Sequence, residues 1–371
     1  GSLSLKSWFG NNQGLNLPKE LDVPVVEAIS PYNEQIAALD KQVGAQYRRE
    51  TLKDTSGASM MDPKTQVSKI HQTSILDAST KPFEANLVFA LCREYPNEYG
   101  EKIANIALNA YVNQCGQATL AAAEASRENG NSPNTVVSGA VAIVGKKMAE
   151  PAMDAAKALL SLFQFSKLSD PTGNYDYKEE LNSAKSHKDT LLAANDDTCA
   201  DKMATCLAQD AQSIFIKFLL DFAKQEGGKP STDAMIAAIW VTLGWGGLRS
   251  KKITKGTITR LPWYSRIYST IVGVVASADK HCEDSFCGVK LEELIPNFSF
   301  TRTAFLSLMG REPTDDELFE FQVLLGLIIT NGPGTISAQG SKGAVSADGP
   351  EMPDRVQVNK AFIGFLTHTG F

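Results

Sequence analysis

The 371 residues predict an all-α protein, and three observations carry that prediction. Apolar residues recur at the spacing of one helix face, as in Ile103, Ile106, Ala107 and Ala110. Helix boundaries are marked locally: Ser231-Thr-Asp233 and Thr314 precede apolar runs, and Gly227-Gly228-Lys-Pro230 follows one. The apolar–polar alternation of a half-buried strand never persists beyond a handful of residues.

Composition narrows the class. A hydrophobic share of 43% with 21% charged residues is that of an ordinary soluble globular chain, long enough for one large domain or two to three smaller ones. The formal charge of -6 offers no cationic footprint, so nucleic acid is not an expected partner. The charge-free stretch Phe321 to Ser341, which no other exceeds in length, holds about ten consecutive mostly apolar residues before its glycine break, roughly half of a membrane span. No membrane association is expected, and without a charged-then-apolar opening segment the expected compartment is the cytoplasm. The six cysteines do not make a disulfide scaffold. His281, Cys282 and Cys287 form the nearest approach to a metal motif, but zinc takes four ligands and His71, His187 and His368 complete no pattern, so no metal is expected.

In chain order, residues 1–80 carry Pro18, Pro24, Pro31 and Pro63 and a polar helical candidate, Gln35 to Lys53, and read as an arm with little core of its own. Residues 81–166 form a first helical unit. It comprises helices over Phe83–Leu91 and Glu101–Val112, an Asn113-Gln-Cys-Gly116 corner, an alanine-rich helix from Ala118 to Ser126, a loop over Asn129–Asn134, a buried segment from Thr135 to Val144 and an amphipathic helix from Glu150 to Phe163. Residues 167–230 read as a polar insertion, exposed over 167–200, plus a connecting apolar helix from Ser213 to Lys224. Residues 231–371 form a second unit, with helices over Ala234–Gly244 and Trp263–Ala278, and with Trp240, Trp245 and Trp263 expected in the core.

The most informative stretch runs from Arg311 to Pro350. Thr314 is placed to cap a helix whose first turn holds Asp315, Asp316 and Glu317, where the helix dipole favours acids. The apolar run Phe321–Ile329 predicts a helix buried nearly all round. The chain then breaks at Asn331-Gly-Pro-Gly334, and Thr335 or Ser337 starts another helix. Amides at a helix start bind carboxylates and phosphates, which makes Asn331, Gly332 and Gly334 candidate binding groups, with Lys342 and Asp348 beyond them. The competing reading is a helix break that lets two buried helices pack, followed by a solvated loop. No G-x-x-x-x-G-K-[ST] occurs there, so nucleotide hydrolysis is not indicated.

An internal echo accompanies this stretch. Arg93, Asn113, Gly116 and Thr119 are followed at one offset of 218 residues by Arg311, Asn331, Gly334 and Ser337. A proline turn and a helix lie between each arginine and its asparagine, which points to a duplicated domain.

The segment LSLMGREPTDDEL, the helix after it, the Asn-Gly turn and the small-residue helix beyond together resemble the citrate synthase superfamily, which includes citryl-CoA lyases and the carboxy-terminal part of ATP-citrate lyase. The resemblance covers roughly 81–165 and 231–371 and implies a citrate-synthase-like helical large domain in two related units, the earlier one degenerate. It also implies carbon–carbon chemistry on an acyl-CoA or citryl-CoA, a small carboxylic acid and a CoA thioester as partners, and a homodimer or larger homo-oligomer. In that family an Asp-His-Gly ends the buried helix; here Asn331-Gly332 and Asn113-Gln-Cys-Gly116 stand in its place without the histidine. The family's His-Gly-Gly would fall near Lys146-Lys-Met148 in the earlier unit and at or beyond Phe371 in the later one, so the later unit reads as incomplete at its C-terminus. His368 is the remaining catalytic candidate, and Arg249, Lys251 and Lys252 could meet CoA phosphates or simply form a wet face. The alternative to an enzyme is a non-catalytic scaffold or regulatory subunit derived from the same fold.

Overall fold

A computed structural model describes residues 57–62, 64–194, 197–346 and 357–369. Residues 1–56 of the arm predicted over 1–80, and the candidate Asp348, lie outside the described residues.

The all-α expectation holds, with two small additions. Three short strands open the described chain: β1 (Ser59–Met61), β2 (Ser68–Ile70) and β3 (Thr73–Ser74), paired antiparallel in that order. A second hairpin pairs β4 (Ser285–Phe286) with β5 (Val289–Lys290). Strands of two or three residues are too short for alternation to register in the sequence.

After β3 come α1 (Ile75–Ala78), α2 (Phe83–Cys92), α3 (Glu98–Asn109), α4 (Ala118–Glu128), α5 (Pro133–Ile143) and α6 (Lys146–Leu162). Three of these starts have a clear local cause. Ser74 caps α1, Asn97 Oδ1 accepts from Gly100 N at 2.8 Å at the head of α3, and Pro133 takes the first position of α5, where its missing N–H costs nothing. The chain continues through α7 (Lys178–Ser183), α8 (Lys188–Leu191), α9 (Thr198–Gln209), α10 (Ile214–Gln225), α11 (Thr232–Arg249) and α12 (Lys255–Val275). Following β5 are α13 (Leu291–Asn297), α14 (Phe300–Met309), α15 (Asp315–Ile328), α16 (Ile336–Ser346) and α17 (Val358–Leu366).

The core is organised around α11, which packs on α6, α10 and α12. Residues Ala237 to Val241 along it are wholly buried, and Trp240, Trp245 and Trp263 are core residues as expected. Burying each large side chain of this kind contributes roughly 1.5–3 kcal/mol. Helix α11 runs well past the predicted stop at Gly244 because the small residues there serve tertiary contact. A Cβ on Gly247 would overlap the Cys92 carbonyl oxygen, and one on Gly244 would lie 2.9 Å from Ile258 Cγ1. Helix α12 likewise starts before Trp263, behind a capping box of Thr254 and Thr257, and carries Pro262 inside it.

Two expectations are overturned. The stretch 167–200 is not simply an exposed insertion: Leu168, Ala184, Leu191 and Ala200 are buried in the main core. Helix α15 is not buried all round. Thr314 caps it as predicted, and Glu317 completes a capping box, but Gly326 is its one buried residue, whereas Phe319 and Ile328 are each 63% exposed and Leu324 is 53% exposed. An apolar run looks the same in sequence whether or not something covers it. No helix among the described residues is long and apolar enough to cross a membrane.

Candidate functional site

The candidate site is the corner between α15 and α16. The chain turns at Gly332, whose φ of +84° is the left-handed conformation that glycine adopts without penalty. The corner rests on the first hairpin. The Thr330 and Ser59 hydroxyls are 2.7 Å apart, Gly332 N donates to Thr330 Oγ1 at 3.3 Å, and a Cβ on Gly332 would sit 3.2 Å from Met61 Cε. Asn331 is exposed and its side chain bonds to no other described residue. Lys342, nearly two turns into α16, donates to the Pro333 carbonyl at 2.9 Å, and Gln339 Nε2 donates to the same oxygen at 3.0 Å. An ammonium has three donors, so Lys342 keeps two for an anion at the corner. Asn331, Gly332, Gly334 and Lys342 thus lie around one turn, with Lys342 on a helix and not in the loop expected for it.

The other candidates are elsewhere. His368 Nδ1 bonds the Gly364 carbonyl at 2.8 Å, and its ring lies against Gly340 where α16 crosses α17; a Cβ on Gly340 would overlap both groups. Its contacts are those of a helix-crossing residue. Arg249, Lys251 and Lys252 are exposed at the far end of α11, where Lys252 pairs with Glu94 at 3.2 Å. Among the described residues no hydrogen bond or ion pair joins them to the α15–α16 corner.

The earlier corner, between α3 and α4, is built on the same plan and is closed. Asn113 Nδ2 donates to the Cys282 and Ser285 carbonyls at 2.5 and 3.1 Å. Gln114, at the place where the resemblance wants a histidine, has its N–H 3.0 Å from His281 Nδ1, its side-chain amide on the Tyr111 carbonyl and its side-chain oxygen accepting from the Thr119 hydroxyl. His281 in turn reaches the Gly273 carbonyl through Nε2 at 3.1 Å, and since Nδ1 accepts from the Gln114 amide, Nε2 is the nitrogen that donates; burial pushes its pKa down. Both ring nitrogens are committed to protein groups, so His281 offers no lone pair to a metal beside Cys282 and Cys287.

Sequence reasoning missed two polar nodes. Tyr111 Oη donates to Asp233 at 2.5 Å under Arg266, whose guanidinium lies 4.2 Å from the Tyr111 ring; burial, then Asp233, holds the phenol well above its usual range. Asp233 belongs to a cleft of about 520 Å³ also lined by Asp154, Asp189 and Asp197, an acidic lining that disfavours carboxylates and phosphates. The second node joins α2 to α14: Thr301 donates to Glu84 Oε2 from its hydroxyl at 2.6 Å and from its amide at 3.2 Å. Spacing cannot reveal a bond between residues so far apart in the chain.

Burial raises the pKa of Glu84 above that of an exposed glutamate. A raised folded-state pKa means the native state holds its proton more tightly than the unfolded chain. The contribution is therefore fully present below about pH 4.3, the unfolded value, and is lost as pH rises through the folded value. Glu84→Gln keeps the oxygen that Thr301 needs and removes the titration. The expected result is that wild type minus variant stability, from urea melts between pH 4 and 8, falls steadily with rising pH; a flat difference would show Glu84 ionised in the fold.

No family model matches this chain, and no curated protein does. Among solved structures, citryl-CoA lyase from Hydrogenobacter thermophilus is similar at 15% identity with a TM-score of 0.42, over 70% of this chain and 88% of that one.

Proposed function

We propose that this is a citrate-synthase-like protein whose α15–α16 corner binds the carboxylate of a small acid or the anionic end of a CoA thioester. That corner serves carbon–carbon bond formation or cleavage on an acyl-CoA or citryl-CoA. The observation that carries this reading is the asymmetry of the two corners. Asn113 and Gln114 are consumed by internal hydrogen bonds, whereas Asn331 is exposed beside the start of α16, where the Thr335 hydroxyl accepts from the Ala338 amide, and beside a lysine with donors to spare. The chemistry needs a base at the thioester α-carbon, a donor on its carbonyl and cations for the carboxylates. Asn331, Lys342 and the first amides of α16 supply anion recognition, and the reading assigns them binding, not proton transfer.

Calorimetry with CoA, acetyl-CoA and citrate tests it. One of the three is expected to bind saturably, and Asn331→Ala to weaken that binding about tenfold, one lost hydrogen bond to a charged group, at unchanged melting temperature. If none binds, the non-catalytic scaffold takes its place, a reading that the closed earlier corner already favours for the first unit.

A further inference from the structure

The two halves of the chain meet through equivalent residues. In the hairpins, Lys69 faces Ser74 and Ile70 faces Thr73, while Ser285 faces Lys290 and Phe286 faces Val289, the same register 216 residues on. Left-handed residues recur at the same interval: His71 and Cys287 at φ 52° and 50°, Arg93 and Gly310 at 70° and 68°, Gly116 and Gly332 at 68° and 84°. The glycine answering Gly116 is thus Gly332, and the sequence offset of 218 shortens to 216–217 in space.

The contacts between the halves are reciprocal. Asn109 on α3 donates to the carbonyls of Leu294 and Phe298 at the end of α13. Gly326 on α15, its counterpart, packs on Ala78 and Ser79 at the end of α1, the counterpart of α13. Equivalent residues also meet each other: Glu84 meets Thr301, and Ala142 accepts from Asn359, both 217 apart. An interface where i meets j′ and j meets i′, with self-equivalent contacts on the axis, is that of a two-fold dimer, here within one chain.

One face breaks the symmetry. In the earlier half, Ile103, Ile106, Ala107 and Cys92 are buried in the core to which α11 belongs, and α11 packs on both α2 and α3. Their counterparts at an interval of 217 include Leu324 and Met309, which are 53% and 56% exposed; with Leu327 and Ile328 they make a stripe on α14 and α15. Among the described residues, α15 packs mainly on α1, α2 and α14, and nothing stands where α11 stands.

We propose that the chain is an internal two-fold duplication, and that the Met309–Leu324–Ile328 face docks a partner helix with the chemistry of α11: apolar, small-residue along its contact side and basic at its end. The two helices that carry the face also form the α14–α2 and α15–α1 joints. Glu312 and Glu317 are paired with Arg302 and Arg311, but the rim also carries Asp315, Asp316 and Glu320 with no lysine or arginine on α15, which matches a helix ending as α11 does in Arg249, Lys251 and Lys252. A second copy of the same face would double that acidity. This chain's own α11 is buried and unavailable.

The probe is a fluorescein-labelled peptide of residues 232–252, titrated into the full chain by anisotropy without CoA, so its outcome is independent of the ligand-binding reading. Saturable binding is expected, weakened at least tenfold by Leu324→Lys with Ile328→Lys and unchanged by a lysine at the 90% exposed Phe165. Both stripe positions are exposed, so the variant should melt as wild type does; Leu324→Ser provides a second, milder variant. No saturable binding, or binding indifferent to Leu324 and Ile328, overturns the proposal. So does light scattering that finds a dimer which these substitutions dissociate, because a second copy would then be the occupant.

Discussion

Trp263→Ala should destabilise the fold by about 3–5 kcal/mol, the cost of emptying a large buried aromatic site. Trp263 is 1% exposed and sits between α12 and the α5–α6 junction, in the cluster with Val136, Val141, Val144 and Met153. Its indole N–H donates to the Val144 carbonyl at 2.8 Å, the residue at which α5 stops before Gly145 leads into α6. The substitution therefore removes apolar contact and strands a buried carbonyl in one step. A melting-temperature drop on the order of 10 °C is the expected readout. Trp240 is the internal control. It is as deeply buried, but its indole nitrogen has no hydrogen-bond partner among the described residues. Conversion to phenylalanine should accordingly cost less at Trp240, where an unsatisfied donor is removed, than at Trp263, where a satisfied acceptor is orphaned. Equal costs at the two positions would show that the bond to Val144 contributes little.

Gly273→Val should be nearly as damaging, by a different route. A Cβ there would overlap the Val112 carbonyl oxygen and lie 2.9 Å from Gln114 Cγ, so α12 and the end of α3 must separate before any side chain fits. The neighbour is backbone, which cannot rotate away, and overpacking of this kind costs about 1–3 kcal/mol or more. The Gly273 carbonyl also holds His281, whose other nitrogen holds Gln114, so the shift propagates through the whole earlier corner. Gly116→Ala separates packing from conformation: its φ of 68° carries a conformational cost of about 1 kcal/mol, and nothing lies within 4 Å of its Cβ position. Denaturant midpoints should rank Gly273→Val well below Gly116→Ala; the reverse order would mean that backbone conformation, not helix approach, dominates at this corner.

Local chemistry was the legible part. Ser231 and Thr314 cap the helices they precede, and Asn331-Gly-Pro-Gly334 breaks the chain at the end of α15, because a cap or a turn is decided within a few residues. Lys342 reaches the same corner only through its long side chain, which extends back from α16 to the Pro333 carbonyl, a contact that reading the segment as a loop does not show. His368, Arg249, Lys251 and Lys252 share the ligand-binding residue types but not the place, and no spacing rule crosses the intervening chain. The lengths of α11 and α12 were underestimated because Gly244, Gly247 and Pro262 are penalised in an isolated helix but tolerated where tertiary packing holds the segment.

The sequence by itself determined that this protein is helical, where its caps and corners lie, and that the Asn113 and Asn331 corners echo one another. Only the tertiary structure decided which corner is open and which faces are covered. The Phe321–Ile329 run is as apolar as a core helix, yet Leu324 and Ile328 face outward because no described helix fills the position that α11 fills over α3. Burial is a relation between surfaces far apart in the chain, so a pattern read along one helix records its capacity to be covered and not whether it is.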